Sequence, residues 1–213
     1  MIDVITYDDG LPISVIVPHS IDKTRVNFFN DYVFPMLEAN MPSEIIINDN
    51  QGTAPEKRNA GFAKSTQPFV FFCDNDIVLP ATHLQKLYNV LNKSQWGFAY
   101  SGYMGIVLHP ENHPIGRNFP IKTVEYNWTT LKRGNYISTM SLIKRELFPG
   151  FDETLKRLQD WDLYLTMGSR GVNGKAVFNN EFFAYYLDEG ITSNTNNETQ
   201  AIMTIINKHK LGM

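Results

Sequence analysis

Two acidic pairs with the same spacing are the residues of this 213-residue chain that point most directly to chemistry. Asp74 and Asp76 follow a short apolar run, whereas Asp160 and Asp162 follow Gln159 at the start of a helical pattern. Two carboxylates that a turn directs out of a sheet suit a hard divalent cation, which keeps several waters and also takes phosphate oxygens. A carboxylate in the first turn of a helix, such as Asp160, either stabilises the helix or serves as a general base.

Other side chains with chemical potential give weaker signals. Arg58, on a predicted helix after Asp49, could pair with phosphates or with these carboxylates, or could lie on a solvated helix face. Trp161 could stack on a sugar ring, although a tryptophan there is more often part of the core. His109 and His113 have the spacing of a metal pair on a helix, but neighbouring prolines disfavour a helix there.

The composition excludes several classes of protein. The net charge is −3, so the chain lacks the basic excess that phosphate neutralisation needs, and we expect no nucleic-acid partner. Cys73 is the only cysteine, which rules out an intramolecular disulfide. The N-terminus is acidic and no apolar run could span a bilayer, so we expect a cytoplasmic protein without a membrane span.

The elements that must position these residues alternate between strand and helix in the first ~95 residues. The predicted strands cover residues 13–17, 45–47 and 69–73. The predicted helices cover residues 23–39, a segment from about Pro55, and residues 84–91. This alternation predicts an α/β fold with a parallel sheet and helices on both faces. Ligands bind at the carboxyl ends of such strands, and the polar clusters 18–20, 48–50 and 74–76 lie there, so we expect one site.

The second half is less regular. Residues 96–108 predict one or two strands broken at Ser101-Gly102, and residues 109–120, with three prolines, predict a loop. Further predicted elements are possible strands at 136–143, at Phe178 and at 182–186, a helix at 158–167, a polar loop at 194–197, and a short helix around 202–206.

Taken in order, these segments resemble the family 2 glycosyltransferases, which have the GT-A fold. The resemblance covers roughly residues 12–170, and the order and spacing of its motifs make it specific. The matching motifs are residues 13–18, 44–50, 57–61 with Ala63, 71–76 with Pro80, 142–145, 148–153 and 159–163. The resemblance implies one GT-A domain over residues 1–213, a Rossmann-like, mostly parallel sheet flanked by helices. Residues from about 12 to 95 would bind the nucleotide, and residues from about 96 to 213 would bind the acceptor and carry catalysis.

The resemblance also implies a role for each matched residue. The nucleotide would contact Pro18, Asp49, Arg58, Asp74 and Asn75. Asp76 would bind Mn²⁺ or Mg²⁺ bridging the diphosphate, and Asp160 would deprotonate the acceptor. Sugar or acceptor contacts would come from Gln159, Trp161, Ser101 and Gly102. The implied reaction is an inverting transfer of a hexosyl or N-acetylhexosaminyl group from a nucleotide sugar, UDP-linked by expectation, to a hydroxyl of a glycan or another acceptor.

The chain departs from the family pattern at three places. Asn48 replaces the first residue of the usual Asp-Asp pair, and Gln159 replaces the usual Glu before the base. The stretch that often supplies a metal-binding histidine has none, so Asp188 or water would complete the metal site. The chain also has none of the membrane helices of processive relatives, which favours transfer of a single sugar to a soluble or partner-presented acceptor.

Two alternatives remain open. The replacements at Asn48 and Gln159 are compatible with an inactive nucleotide-sugar or glycan-binding module of the same fold. A nucleotidyltransferase would carry a glycine-rich basic loop after the first strand, whereas residues 18–22 contain no glycine.

Overall fold

The computed structural model of the protein describes residues 1–108, 118–187 and 195–211, and the side chains of residues 195–197 fall outside the description. His109 and His113, whose metal-pair spacing the neighbouring prolines disfavour, lie outside the described residues, as does Asp188, one of the two alternatives for completing the metal site. Most of the loop predicted at 109–120 lies outside them as well.

The described strands and helices alternate over the first half of the chain, as predicted. The strands are β1 (Ile2–Thr6), β2 (Leu11–Pro18), β3 (Pro42–Asn48), β4 (Phe69–Phe72), β5 (Ile77–Val78), β6 (Phe98–Tyr100), β7 (Tyr103–Val107), β8 (Asn118–Ile121), β9 (Ser141–Lys144), β10 (Gly174–Ala176) and β11 (Phe182–Tyr186). The helices are α1 (Lys23–Phe28), which continues through a π-helical turn (Phe29–Val33) into α2 (Phe34–Ala39), then α3 (Ala54–Lys64), α4 (His83–Leu91), α5 (Trp128–Leu131), α6 (Gln159–Ser169) and α7 (Thr195–His209). A 3₁₀ turn covers Arg145–Leu147.

The central sheet has seven strands in the order β1–β3–β2–β4–β9–β6–β10. Five of them run in one direction, and β1 and β9 run against them. A second sheet of four strands has the order β5–β11–β7–β8. The α/β architecture with a mostly parallel sheet is therefore confirmed.

Helices cover both faces of the central sheet, and its central strands β2 and β4 carry apolar residues on both faces. Along β2, Val15 and Val17 pack into one core with α2 and α4, while Ile16 packs into the other with α6 and α7. Along β4, Phe71 and Phe72 divide between the same two cores. A strand covered on both faces lacks the alternation of a half-exposed strand, which explains its continuous apolar sequence.

Helix α3 begins sharply and lies close to the sheet, and it thereby fixes Arg58. Thr53 and Glu56 form a capping box, in which the Thr53 backbone N–H donates to Glu56 Oε2 at 2.6 Å. A Cβ at Gly61 would lie 2.5 Å from Ile16 Cγ2, so only glycine permits this close approach of helix and sheet.

The second half differs from the expectation at several elements. Residues 118–120, the end of the expected loop, belong to β8, an edge strand that tolerates Pro120. Strand β9 begins only at Ser141, and β10 lies before Phe178 rather than at it. Helix α7 begins at Thr195, inside the expected polar loop. The strands β8 and β9 are decided by pairing, of β8 with β7 and of β9 with β4 and β6, and local pattern does not encode such pairing.

Among the described residues, none of the helices has both the length and the apolar character that crossing a bilayer requires.

Candidate functional site

A cavity of about 920 Å³ lies at the carboxyl ends of β2, β3 and β4. Most of its lining comes from residues 18–21, 49–52, 74–77, 138–140 and 156–160. The first three segments directly follow parallel strands, which is why they meet at one edge of the sheet. The last segment contains the start of α6, so the cavity brings Asp160 to the same space as Asp74 and Asp76.

One side of the cavity is formed by Pro18, the last residue of β2, and by Asp49, which directly follows the neighbouring strand β3. The Asp49 carboxylate accepts a hydrogen bond from the N-terminal ammonium of Met1, which lowers the pKa of Asp49. Asn48 is buried, and its side chain donates to the Lys57 carbonyl at 2.9 Å and accepts from the Asn50 backbone N–H at 3.1 Å. The residue that replaces the first family aspartate therefore holds the β3–α3 turn together.

Arg58 joins the two acidic segments across the cavity. Arg58 is 4% exposed, and its guanidinium forms an ion pair with Asp74 at 2.5 Å. The same group donates to Gln159 Oε1 at 2.9 Å and lies 5.3 Å from the ring centre of Phe151. The alternative of a solvated helix face for Arg58 is thus wrong, because this side chain is buried and bound on two sides.

The Asp76 carboxylate lies opposite a second arginine. Arg25 Nη1 donates to Asp76 Oδ2 at 2.9 Å and lies 3.5 Å from the side-chain oxygen of buried Asn75. Burial, together with the nearby charge of Asp74, raises the pKa of Asp76 to about 6, and Arg25 opposes that rise. Arg25 was not identified from the sequence, because nothing in the spacing of α1 marks it as a neighbour of β4.

Asp160 lies in the first turn of α6, with its side chain beside the cavity. Leu158, before the helix, adopts a left-handed conformation at φ 57°, and its side chain provides no cap. Asp160 Oδ1 accepts from the Trp161 backbone N–H at 2.9 Å. Burial raises the pKa of Asp160, while that hydrogen bond and the charge of Arg58 oppose the rise. A higher pKa makes the Asp160 carboxylate a stronger base.

Three of the residues expected to contact sugar or acceptor do not line this cavity. Ser101 is buried, and its hydroxyl donates to the Gly102 carbonyl at 3.1 Å. Gly102 packs so closely against β8 and the residues after it that a Cβ would lie 2.1 Å from the Ile121 carbonyl oxygen. Trp161 is 7% exposed, and its indole N–H donates to the Leu131 carbonyl at 2.7 Å. These residues are part of the packing, and Gln159 alone of that predicted set lines the cavity.

Two tyrosines, Tyr103 and Tyr186, line the cavity wall, and Tyr186 was not identified from the sequence as a site residue. The hydroxyl groups of Tyr103 and Tyr186 are hydrogen-bonded to each other, and burial raises the pKa of both. Tyr103 directly follows the Ser101-Gly102 break, and its ring stacks on Phe182 at 5.3 Å. The pairing of β7 with β11 brings the two tyrosines together, and this contact spans more than 80 residues of sequence.

The carboxylates at the end of β4 are of the type that a hard cation prefers, but two of them are too few to complete its coordination shell. Within residues 1–108, 118–187 and 195–211, no three His, Cys, Asp or Glu side chains are grouped as a metal ion would require. Asp74 and Asp76 both supply oxygen atoms, and Mg²⁺ or a similar ion often takes one or two carboxylates and completes its shell with water and phosphate. The donor set therefore fits a cation that arrives with a phosphate ligand.

Comparison with known proteins identifies relatives of this fold. The model of the family "Glycosyl transferase family 2" matches residues 37–150, more than half of the chain. No match was found among curated proteins.

Solved structures with the same fold include S. aureus TarS 1–349 in complex with UDP-GlcNAc, at a TM-score of 0.65 and 13% identity, over 93% of this chain and 66% of that one. TarS 1–349 in complex with UDP gives a TM-score of 0.64 at 13% identity, over 93% of this chain and 65% of that one. The mannosyltransferase PcManGT from Pyrobaculum calidifontis, in complex with GDP-Man and Mn²⁺, gives 0.61 at 12% identity, over 96% of this chain and 67% of that one. The chain thus spans just under two thirds of the TarS structures. The fold matches GT-A glycosyltransferases, and the chain belongs to glycosyl transferase family 2.

Proposed function

We propose that this chain is an inverting, metal-dependent glycosyltransferase. It transfers a hexosyl or N-acetylhexosaminyl group from a nucleotide sugar, UDP-linked, to a hydroxyl group of a glycan or another acceptor. The observation that carries the proposal is the cavity of about 920 Å³ in which Asp49, Arg58, Asp74, Asp76 and Asp160 meet. The UDP-GlcNAc and UDP complexes of TarS, and the GDP-Man and Mn²⁺ complex of PcManGT, support the class of donor.

The donor lies along the sheet edge in this proposal. Pro18 and Asp49 contact the nucleobase, and Asp74 and Asn75 contact the ribose side of the nucleotide. Arg58, already buried against Asp74, contributes positive charge near the diphosphate. Residues from about 12 to 95 are thus the nucleotide-binding half, and the later residues supply the acceptor side.

Transfer is a single in-line displacement at the anomeric carbon. Asp160 accepts the proton of the acceptor hydroxyl as the oxygen–carbon bond forms and the bond to the diphosphate breaks. The burial that raises the pKa of Asp160 strengthens it for this role. Mn²⁺ or Mg²⁺, when bound, would be held by Asp76 and would stabilise the charge of the leaving diphosphate.

The inactive-module alternative rests on two replaced residues, and both have a structural role here. Asn48 secures the β3–α3 turn through Lys57 and Asn50, and Gln159 accepts a hydrogen bond from Arg58. Neither replacement removes Asp49, Asp76 or Asp160 from the cavity lining. The geometry therefore favours an active enzyme over the binding module.

Thermal unfolding with UDP, GDP, CDP and TDP, each with and without Mn²⁺, tests the donor site. A ligand at a hundred times its Kd adds about 2.7 kcal/mol of stability, which raises Tm by about 5–10 °C for a chain of this size. We expect a Mn²⁺-dependent shift with UDP, and release of UDP from UDP-GlcNAc or another UDP-sugar. Binding without release would favour the inactive module, and no shift with any nucleotide would refute the proposed donor site.

A further inference from the structure

The second carboxylate of the helical pair, Asp162, lies on the side of α6 away from the cavity. Residues two apart on an α-helix are rotated by about 200° around its axis, so Asp160 and Asp162 face opposite ways. Asp160 lines the cavity, and Asp162 is 3% exposed and contacts α7. A carboxylate in that position cannot reach a substrate in the cavity.

Both oxygens of Asp162 are bound by the last turn of α7. Lys208 Nζ donates to Asp162 Oδ2 at 2.9 Å, and His209 Nε2 lies 2.7 Å from Asp162 Oδ1. Lys208 also donates to Asp152 Oδ2 at 2.7 Å, in the segment that leads into α6. A buried carboxylate is costly unless its partners are well placed, so this cluster strongly constrains where Asp162 lies.

Helix α7 contacts the same region of the chain at its other end. Arg157 lines the cavity one residue before Leu158, and it forms an ion pair with Glu198 at 3.3 Å. Between these two contacts, Ala201 and Ile205 are buried in the core that also contains α6. Helix α7 therefore holds the start of α6 from both sides, by Arg157 before it and Asp162 within its first turn.

The start of α6 depends on such contacts because its own sequence stabilises it poorly. Leu158 is in the left-handed region without a capping side chain, a conformation that costs a non-glycine residue free energy. The Asp162 backbone N–H donates to the Leu158 carbonyl at 3.1 Å, closing the first turn around Asp160. Displacing Asp162 would open that turn and shift Asp160.

From this geometry we infer that Asp162, Lys208 and His209 form a positioning cluster, which holds the first turn of α6 so that Asp160 faces the acceptor. The inference rests on the proposed function, since it gives Asp160 the role of base. A base displaced by about 1 Å loses on the order of 100-fold in rate, while the nucleotide contacts on β2, β3 and β4 are untouched. The cluster thus affects turnover and not donor binding.

The variant Lys208→Met tests the cluster, because Lys208 is 39% exposed at its side chain and its replacement is compatible with folding. We expect kcat for UDP release from UDP-GlcNAc to fall by roughly 10-fold or more, with the Kd of UDP unchanged. Lys208→Arg should restore kcat, and Lys210→Met, at a neighbouring exposed lysine, should leave it as in the parent. An unchanged kcat in Lys208→Met, or an equal loss in kcat and UDP affinity, would overturn the inference.

A second measurement does not depend on activity. Amide hydrogen exchange should become roughly 10-fold faster at residues 160–163 in Lys208→Met, and stay unchanged in α3 and in the Lys210→Met variant. Faster exchange confined to the start of α6 supports the cluster even if the parent protein releases no UDP, an outcome that would refute the proposed function alone. Unchanged exchange there would overturn the inference independently of the enzyme assay.

Discussion

The two acidic pairs have one spacing and opposite geometries. Asp74 and Asp76 lie on a turn after β4, and both carboxylates line the cavity. Asp160 and Asp162 lie on a helix, and only Asp160 lines the cavity. The backbone that carries an Asp-x-Asp pair, more than its spacing, therefore decides whether the two carboxylates share a ligand or serve different purposes.

The two pairs also differ in how their partners can be exchanged. Asp74 and Asp76 keep 31% and 21% of their side chains exposed, and each is paired with one arginine. Asp162 keeps 4% and is held on both oxygens. Carboxylates that stay partly accessible can exchange a protein partner for a ligand. An enclosed carboxylate such as Asp162 keeps its protein partners and stabilises the fold.

The largest effect is expected from Asp160→Asn, which removes the proposed base and keeps the shape of the side chain. General-base catalysis contributes about 10²–10⁴-fold, so transfer should fall by roughly 1,000-fold while UDP affinity stays nearly the same. Steady-state UDP release and calorimetric titration with UDP measure the two quantities. Near-native transfer in this variant would mean that the base lies elsewhere in the cavity. Asp160 and Asp162 would then no longer differ as a catalytic and a structural residue.

The next effect, at the turn pair, is expected from Asp76→Ala. Loss of this carboxylate should weaken Mn²⁺-dependent binding of UDP by about 10–100-fold, the range seen when groups that support a metal site are removed. UDP titration with and without Mn²⁺ measures the change, and Asp31→Ala, at an exposed aspartate outside the cavity, is the matched control. An unchanged Mn²⁺-dependent affinity would exclude Asp76 as a metal ligand.

The sheet-edge half of the site could be predicted from sequence because each of its parts is local. Apolar runs ending in turn formers identified β2, β3 and β4, and the rule for parallel sheets then placed Pro18, Asp49 and Asp74 at one edge. Residue type and helix position marked Arg58 and Asp160 as candidates, and the family motifs gave each a role without any knowledge of their distances. The predicted fold class is confirmed for the same reason, since alternation of strand and helix is visible along the chain.

The remaining contacts join residues that are distant in sequence, and local pattern does not encode them. Trp161 lies in the core, where its indole N–H donates to the Leu131 carbonyl. Gly102 packs against the backbone at the end of β8 and just after it. Arg25 meets Asp76 across 51 positions, and Asp162 meets Lys208 across 46. A side chain's type predicts what it could do, and tertiary packing decides which of these possibilities is used.

Arg58 is bound to Asp74 and to Gln159 beside Asp160, so Arg58→Met tests whether Asp74 and Asp160 belong to one site. The variant loses the hydrogen bonds to Asp74 and Gln159, at a cost of about 2 kcal/mol, and Tm should fall by about 4–8 °C. UDP affinity should fall as well. Arg145→Met is the control, because Arg145 is also bound to the protein, by Ser65 and the Phe62 ring, but lies outside the cavity lining. It should lower Tm and leave UDP affinity intact; parallel losses in both variants would contradict a specific role for Arg58.

The last prediction concerns a buried histidine outside both pairs, His83, and the dependence of stability on pH. His83 is fully buried between the rings of Phe71 and Phe182, and burial lowers its pKa to about 3. Below the unfolded value of about 6.5 the unfolded chain binds a proton that the folded chain does not, so stability falls as the pH falls. The raised pKa of Asp160 acts in the other direction, because there the folded state binds the proton more readily.

The variant His83→Met should remove this acid sensitivity while filling the same space. From pH 7.5 to pH 5.0 the parent protein should lose about 2 kcal/mol more unfolding free energy than the variant, from the difference between the folded and unfolded pKa of one histidine. Urea unfolding at the two pH values measures the difference. Equal losses in parent and variant would mean that His83 titrates normally in the folded state.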